Sequence, residues 1–587
     1  MITPDGGSHV LDLLIKGGTV VDGTGAPGKV ADVGIRDGRI VSIGDTDDSA
    51  TKTVDATGLV VAPGFVDIHT HYDAQLAWDP TASPSVQHGV TTVVGGNCGF
   101  TVAPAGPEHA DYLTRLLARV EGMPLEALQQ GLSWDWSSYG EWLATLEGKI
   151  AVNAGFLVGH SALRRVAMGD ASVGEVATEA QVERMQQLLH DAIDAGALGF
   201  STSQSPTHND GGGDPVPSRH AANEELIALA RATGEHEGTT LEAIVPGCLA
   251  GFSDEEVELL TAMSTAADRP INWNVLAVAA LMREQVNNQL AAQERVAAGG
   301  GRLVALTLPH SMKIRLSFLS GFVLDGFPGW RETMHLPVQE RMKVLSDPAE
   351  RKRLNDGARS PEAGLIGALS KWHRLKITET HAPEYREFEG KTIGDICKAR
   401  GGIDSFDALL DLVIADELRT GLSPDMPGDT LEDWQTRAEV WQNRNAVVGA
   451  SDAGAHLDMM CGAIYSTSLL AHGVREFGVV SIEEAVRLLS DVPARLYGLV
   501  DRGRLVEGAH ADIVMFDPET VNHGVERTRY DLPGGAWRLY AEAEGITSVI
   551  VGGVEVCKDG EATGALPGTL LKSGRDTQSV SAKATAA

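Results

Sequence analysis

The hydrophobic positions along the chain change their spacing twice, and this divides the sequence into three zones. Residues 9–62 contain short apolar or alternating runs separated by Gly-Gly, Asp-Gly and Gly-Ala-Pro turns, and Asp37-Gly38 is a hairpin signal. The same pattern returns at Ala511 to Phe516 and at Thr547 to Val556. We therefore predict that residues 1–62 and 496–572 complete one small β-sandwich domain from both ends of the chain.

Between these β zones, eight apolar, strand-like runs alternate with helical patterns. The eight runs are Phe65 to His71, Val90 to Cys98, Ala151 to His160, Ala197 to Ser203, Thr240 to Val245, Ile271 to Leu276, Leu303 to Pro309 and Ala446 to Asp452. Eight buried strands that alternate with helices predict an α/β fold, the (β/α)8 or TIM barrel, over residues 63–495. Such barrels carry their chemistry at the carboxyl ends of the strands.

Two segments do not fit the barrel repeat. Residues from about 311 to 440 contain helical pieces and many aromatic side chains, including Phe318, Phe327 and Trp330. We predict that they form an insertion between the seventh and eighth strands, which either covers the barrel mouth as a lid or serves as a structural or subunit contact. Residues 573–587 are rich in Ser, Thr, Ala and Lys, a composition that predicts a disordered tail.

The first strand of the barrel zone ends on two histidines, His69 and His71. Side chains alternate between the two faces of a strand, so residues i and i+2 point the same way. The pair follows a Pro-Gly turn and a buried β-branched run, which is not typical of a chance pair on a surface strand. Two imidazoles that converge at the end of a buried strand form half of a metal site.

Two further strand ends offer the remaining metal ligands. The second strand ends in Gly-Gly-Asn-Cys98-Gly, and the eighth ends in Gly-Ala-Ser-Asp452. A cysteine thiolate is a common zinc ligand, and a carboxylate beside a metal-activated water is suited to moving a proton. We therefore predict a divalent metal, zinc, held by His69, His71, Cys98 and Asp452, with Asp452 also acting as the catalytic acid and base.

Composition and charge restrict the partners of the protein. The formal net charge of −32 disfavours nucleic acid and anionic membranes as partners, so we expect a small-molecule substrate.

The five cysteines are scattered and lack a CxxC spacing, which fits free thiols in a reducing compartment. The first ten residues lack a signal pattern, and no run approaches the ~20 apolar residues of a membrane span. We expect a cytoplasmic homo-oligomer.

Four motifs together resemble one known family. They are Pro-Gly-Phe-Val-Asp-Ile-His-Thr-His71, Gly-Asn-Cys98-Gly, Val-Gly-His160-Ser-Ala-Leu-Arg and Ser-Asp452-Ala-Gly-Ala-His456. They look like the amidohydrolase superfamily and are most similar to its D-aminoacylase branch, the N-acyl-D-amino-acid deacylases. The resemblance covers nearly the whole chain. It implies a metal-dependent hydrolase of C–N bonds other than peptide bonds, in which Asp452 takes a proton from water and delivers it to the leaving amine.

The sequence departs from the family pattern at the fifth and sixth strands. The family usually has a histidine at the end of each, whereas this chain has Glu242 in the fifth and Asn274 in the sixth. The fourth strand offers no lysine that could bridge two metals. Two interpretations remain. In the first, one metal per subunit lies on the first-strand histidines and Asp452, with or without Cys98, while Glu242 and Asn274 bind substrate or water. In the second, Glu242 is itself a ligand.

The predicted substrate contacts follow from the same strand ends. An N-acyl amino acid carries a carboxylate, which proteins usually bind with arginine or lysine. Lys313 and Arg315, just beyond the seventh strand, are candidates for this role. The predicted substrate-binding set is His160, Glu242, Asn274, Lys313, Arg315 and His456.

Two alternative functions belong to different classes. A cyclic amide hydrolase resembling hydantoinases or dihydroorotases would share the barrel and the paired histidines, although the Asn-Cys-Gly segment and the long insertion favour the deacylase branch. A catalytically inactive barrel with a scaffolding role would explain the missing histidines of the fifth and sixth strands. Bound metal and the effect of changing Asp452 distinguish the scaffold from an enzyme.

Overall fold

The structure is a computed structural model that describes residues 10–321, 323–426 and 428–583. Eight consecutive parallel strands form its centre, and their bounds fall within the eight predicted runs. They are Phe65–Asp67, Val90–Gly95, Asn153–Phe156 (continued by Val158–Gly159), Gly199–Ser203, Thr240–Ile244, Ile271–Leu276, Leu303–Thr307 and Ala446–Val448. We refer to them as the first to eighth strands.

Each of these strands pairs with its neighbour in chain order. The first three strands form one parallel sheet, and the continuation of the third pairs with the fourth in a second sheet that runs on to the eighth. The first strand then meets the eighth through a parallel bridge between Thr70 and Ala453. This order and the surrounding helices confirm the prediction of a TIM-barrel-like α/β fold.

Helices alternate with the strands and bury one face against them. Those between the first and eighth strands include Ala110–Val120, Tyr139–Leu146, His160–Met168, Glu179–Ala195, Asn223–Gly234, Asp254–Ala267 and Arg283–Ala298. Two of these helices begin with a capping box, in which Thr178 pairs with Gln181 and Ser253 with Glu256. Such a box satisfies orphan backbone donors at the helix start and so fixes where the helix begins.

The insertion between the seventh and eighth strands has its own hydrophobic core. Trp330, Trp372 and Phe406 are buried together there, apart from the main core. The segment contains a three-stranded sheet and helices at Arg331–Met334, Val338–Ser346, Pro348–Ala358, Ile393–Ala399 and Ser405–Ala415. The helix Leu431–Val440 lies at the end of the predicted insertion but packs elsewhere, because its Trp434 is part of the main core.

Both ends of the chain join one nine-stranded sheet. Strand Ile513–Phe516 pairs with Val60–Pro63, and this pairing links the C-terminal strands to the N-terminal ones. The other strands of this sheet are Leu11–Val20, Lys29–Arg36, Arg39–Gly44, Ala50–Asp55, Ile546–Val551, Val554–Lys558 and Glu561–Ala562. Strands from the two ends of the chain therefore share one sheet. Across the described ranges, none of the helices combines the length and the apolar character that crossing a membrane requires.

The prediction of a disordered tail is wrong for residues 573–583. The Thr577 hydroxyl donates to the carbonyl of Gly238 at 2.6 Å, and the Gln578 amide donates to the carbonyl of Gly498 at 2.8 Å. Arg269 also donates to the hydroxyl of Ser579 at 2.9 Å. These contacts tie the tail to the outside of the barrel, because its polar residues find partners on loops that are distant in sequence. Residues 584–587 lie outside the described residues.

Candidate metal centre

The carboxyl end of the first strand places three donor atoms around one buried point. His69 Nε2 lies 3.3 Å from the sulfur of Cys98, and His71 Nε2 lies 3.8 Å from the same sulfur. The candidate ligand atoms of these three residues all lie within 4.8 Å of one another, and all three residues are buried. Two imidazole nitrogens and a thiol sulfur are the donor types that zinc prefers. The residues present therefore fit a divalent metal.

Asp452, just after the eighth strand, adds a carboxylate to this cluster. Its Oδ1 lies 3.0 Å from His71 Nε2 and 3.6 Å from His69 Nε2. Burial alone would raise the pKa of Asp452, but the neighbouring histidines His71, His456 and His69 hold that pKa well below its usual range. The carboxylate is therefore ionised at neutral pH, which is the form that binds a metal or accepts a proton.

Three residues of the site adopt a backbone conformation that side chains other than glycine rarely take. The φ angles are +55° at Cys98, +59° at Asp452 and +49° at His456. Glycines beside them permit close packing. A Cβ at Gly454 would lie 2.8 Å from the carbonyl of His71, and one at Gly96 would lie 2.3 Å from the Leu157 carbonyl. Backbone strain of this kind clusters at functional sites, where the surroundings enforce it.

Glu121 completes the environment of His71 and was not predicted from the sequence. Its Oε1 lies 3.4 Å from His71 Nδ1, the nitrogen that faces away from Cys98 and Asp452, and its side chain is buried. Burial raises the pKa of Glu121 to about 8, against the effect of His71. A carboxylate on the second nitrogen of a metal-binding histidine fixes the ring and its tautomer. No motif marks Glu121, which directly follows the helix Ala110–Val120.

Glu242 and Asn274 stand where the family pattern has histidines. Glu242 Oε2 accepts a hydrogen bond from the Cys98 amide at 2.9 Å, while its Oε1 is buried without a hydrogen-bond partner among the described residues. Burial raises the pKa of Glu242 to about 8. The amide nitrogen of Asn274 lies 3.2 Å from His69 Nε2. Both side chains therefore touch the metal cluster, and the unpaired Oε1 leaves the ligand interpretation of Glu242 open.

His160 does not contact the metal cluster through its ring nitrogens. Its Nε2–H donates to Glu225 Oε1 at 2.7 Å, and the Thr202 hydroxyl donates to its Nδ1 at 2.9 Å. The same carboxylate binds Arg164, and all of these side chains are buried. Both nitrogens are occupied inside the protein, so the predicted substrate contact of His160 is not available in this arrangement.

His456 and His208 lie on the Asp452 side of the centre. His456 Nε2 is 3.7 Å from Asp452 Oδ2, and its backbone amide donates to the Glu121 carbonyl. Burial lowers the pKa values of both histidines, that of His208 to about 3. His208 Nδ1 lies 2.8 Å from the Ser203 hydroxyl. The loop after the fourth strand therefore brings His208 beside the site, a placement that its Gly-rich flanking sequence did not indicate.

A cavity of about 190 Å³ opens beside Asp452 and Asn274. Of the two residues predicted to bind a substrate carboxylate, only one lines this cavity. Lys313 lines this cavity, with its Nζ 3.0 Å from Asp429. Arg315 does not line it. Its guanidinium is buried against Glu379 at 3.1 Å and donates to the Thr528 hydroxyl. The two residues are only two positions apart, but residues 311–315 form no regular strand, and the ion pairs with Asp429 and Glu379 hold the two side chains in different places.

Comparison with known proteins agrees with this geometry. The model of the amidohydrolase family matches residues 52–345 and 396–557. D-aminoacylase of Alcaligenes xylosoxydans xylosoxydans is 28% identical over 574 residues, which cover 96% of this chain and 98% of that protein. N-acyl-D-glutamate deacylase of the same organism is 30% identical, with 93% of each chain covered. The resemblance inferred from the four motifs is thus confirmed.

Solved structures of the same branch have a similar fold. A crystal structure of D-aminoacylase has a TM-score of 0.63 at 27% identity and covers 96% of this chain and 100% of its own. N-acyl-D-glutamate deacylase from Bordetella bronchiseptica, complexed with zinc and a phosphonate mimic of the tetrahedral intermediate, has a TM-score of 0.61 at 26% identity, with the same coverage. By sequence over nearly its whole length and by its fold, the chain belongs to the amidohydrolase family.

Proposed function

We propose that the protein is a zinc-dependent hydrolase that removes the acyl group from an N-acyl-D-amino acid. The observation that carries this proposal is the buried convergence of His69, His71 and Cys98 with the ionised Asp452 beside a cavity of about 190 Å³. The relatives named D-aminoacylase and N-acyl-D-glutamate deacylase support the choice of substrate class.

The proposed metal count is one zinc ion per chain, on His69, His71, Cys98 and Asp452. Glu242 and Asn274 hold the places of two family histidines, and neither supplies an imidazole. One D-aminoacylase structure concerns a binuclear centre with activation by one metal and attenuation by the second. When bound, zinc would polarise the amide carbonyl and make water more acidic.

The chain's own residues handle the proton and the leaving group. Asp452 is ionised and accepts the proton of the attacking water at a carboxylate oxygen. It then delivers this proton to the amide nitrogen as the C–N bond breaks. The immediate products are a carboxylic acid and an amine, and the acid's proton passes to the amine to give a carboxylate and an ammonium group. Lys313 lines the cavity beside Asp452 and is paired with Asp429. When substrate binds, Lys313 leaves Asp429 and pairs with the substrate's α-carboxylate.

The architecture around the site extends this proposal. We propose that the eight strands close into one (β/α)8 barrel through the bridge between Thr70 and Ala453, where the Asp452 amide also donates to the His69 carbonyl at 3.0 Å. The terminal β unit is proposed to fold over as a sandwich. A cytoplasmic location and a homo-oligomeric state stay predictions.

The function is tested with matched enantiomers on zinc-loaded protein. We expect N-acetyl-D-amino acids to be hydrolysed, with the L-enantiomers and cyclic amides much slower. Asp452→Asn is expected to lower kcat by about 10²–10⁴-fold, because the proton transfer loses its carboxylate. The matched control, Asp501→Asn on an exposed surface pair with Arg39, leaves kcat unchanged. Hydrolysis of hydantoin or of L-substrates alone, or full activity in Asp452→Asn, contradicts the proposal.

A further inference from the structure

The cavity beside the metal centre is built from distant parts of the chain. Asn274 and Asp452 line it from the sixth and eighth strands, and His310 and Lys313 from the segment after the seventh. The C-terminal segment contributes His523 and Glu526. Apolar residues fill much of the remaining wall, namely Val275, Leu308, Met312, Trp434, Met460 and Phe477. Such a lining binds a hydrocarbon chain and uses its few polar groups to select the group at the end of that chain.

The wall of this cavity carries more acidic than basic side chains. Among the described residues that line the cavity, Lys313 is the only lysine or arginine, and it is paired with Asp429 at 3.0 Å. Glu476 is paired with His472 at 2.6 Å. The carboxylate of Glu526 has no hydrogen bond or ion pair with any residue in the described ranges. Burial raises its pKa to about 7, although Lys313 and Arg315 oppose this shift. The two cations that act on Glu526, Lys313 and Arg315, form their close ion pairs with Asp429 and Glu379 instead, so Glu526 has no ion pair of its own among the described residues.

Two histidines of the same wall present acceptor nitrogens. His310 Nδ1 lies 2.7 Å from the carbonyl of Ser311, and His523 Nδ1 lies 2.9 Å from the carbonyl of Gly524. A carbonyl only accepts, so each Nδ1 carries the hydrogen and each Nε2 of the neutral ring is an acceptor. Burial lowers the pKa of both histidines, which favours that neutral form. His310 Nε2 is buried and lacks a partner among the described residues. A buried acceptor without a donor is costly unless a ligand supplies one.

We propose that this cavity receives a substrate chain that ends in a cationic or hydrogen-bond-donating headgroup, which Glu526 and His310 Nε2 bind, and that the cavity rejects a second carboxylate. The inference rests on the proposed function, because it describes the part of the substrate that lies beside the scissile amide. Lys313 serves the α-carboxylate that all N-acyl amino acids share, and the wall offers no other lysine or arginine for an acidic side chain. The headgroup sits either on the amino acid's side chain or on the acyl chain.

Direct binding tests this inference without requiring turnover. Calorimetry on zinc-loaded protein with hexylamine and hexanol is expected to show that hexylamine binds about tenfold more tightly than hexanol, because a hydrogen bond to a charged group is worth that much. Glu526→Gln is expected to remove the advantage of the amine, and the exposed surface control Glu519→Gln is expected to retain it.

Two matched substrate pairs then locate the headgroup. N-acetyl-D-lysine is compared with N-acetyl-D-norleucine, and N-(6-aminohexanoyl)-D-alanine with N-hexanoyl-D-alanine. The pair whose amine-bearing member has the higher kcat/KM, by about tenfold, identifies the side chain or the acyl chain as the occupant. Both substrates of a pair are measured on the same protein sample, so the ratio of their kcat/KM values does not depend on the fraction of folded protein. The effect of Glu526→Gln on this ratio can therefore be measured even if part of the variant is unfolded.

Two results overturn the inference, and they differ from a failure of the proposed function. Equal binding of hexylamine and hexanol, or an advantage of the amine that survives in Glu526→Gln, contradicts it even if N-acyl-D-amino acids are hydrolysed. Preference for N-acetyl-D-glutamate over N-acetyl-D-glutamine contradicts it as well. Amine-selective binding that depends on Glu526, in a protein that hydrolyses none of these amides, upholds the recognition site and instead rejects the deacylase function.

Discussion

At the scale of single residues, Glu121 shows how the metal centre depends on a side chain that no motif marks. Its carboxylate lies 3.4 Å from His71 Nδ1 and is buried with it. We expect Glu121→Gln to weaken zinc binding by about 10–100-fold, because the ring loses the partner that orients it. Competition with a chelator measures this affinity. The control Glu126→Gln, an exposed residue five positions on, is expected to bind zinc normally, and an unchanged affinity in Glu121→Gln contradicts the role.

The raised pKa of Glu526 predicts a pH dependence of substrate choice. Its pKa is about 7, so the side chain is a neutral acid below that pH and a carboxylate above it. The amine of a lysine-type substrate stays protonated throughout. The kcat/KM ratio of the amine-bearing to the methyl-ended substrate is therefore expected to rise between pH 6 and pH 8. The ratio is expected to stay flat in Glu526→Gln, and a flat profile in the unaltered enzyme argues against a role for this carboxylate.

The site residues that could be predicted from the sequence are those whose positions follow from the carboxyl ends of the strands. His69, His71, Cys98 and Asp452 converge because carboxyl ends of neighbouring parallel strands meet at one edge, and this follows from strand order alone. Arg315 and His160 were not predictable in the same way. Each sits near a strand end, but whether its side chain enters the mouth or an internal ion pair depends on partners such as Glu379 and Glu225, which are far away in sequence.

At the scale of elements, the insertion behaves as a unit with its own core. Trp372 is fully buried between Trp330 and Phe406 rather than against the barrel. We expect Trp372→Ala to destabilise this core by ~3–5 kcal/mol, because a large cavity replaces the ring. Hydrogen exchange is expected to quicken in residues 316–422 while the strand before His69 stays protected. Trp372→Phe keeps a ring in place and is expected to cost much less, and loss of zinc binding in Trp372→Ala contradicts the independence of this core.

The alternating strands and helices were predictable because their periodicity is strong. The helices Ala110–Val120, Glu179–Ala195 and Asp254–Ala267 lie between strand runs, where the alternating pattern predicts helices. The small strands Asn522–His523 and Arg527–Arg529 were not predicted. They are too short to show a hydrophobic period. The first pairs with the later strand Ala543–Glu544 and the second with Arg538–Tyr540, and these pairings stabilise them.

At the scale of the whole molecule, the C-terminal segment contributes to the cavity wall as well as to the sheet that it shares with the N-terminal strands. The C-terminal segment leaves the shared β sheet, places His523 and Glu526 on the wall of the cavity, and returns to that sheet at Ile546–Val551. Sequence patterns cannot predict this placement, because it depends on how the β unit packs against the barrel. The specificity of the site is therefore a property of the assembled chain, whereas its metal ligands are a property of the strand order.

The most direct test of the account is a zinc titration of metal-free protein, with the release of free amino acid from an N-acetyl-D-amino acid as the measured quantity. His69, His71, Cys98 and Asp452 form one donor set, so we predict that the rate rises linearly with added zinc and reaches its plateau at one equivalent per chain. A rate that stays at zero at every zinc loading, or a plateau reached only at two equivalents, contradicts the single-metal deacylase.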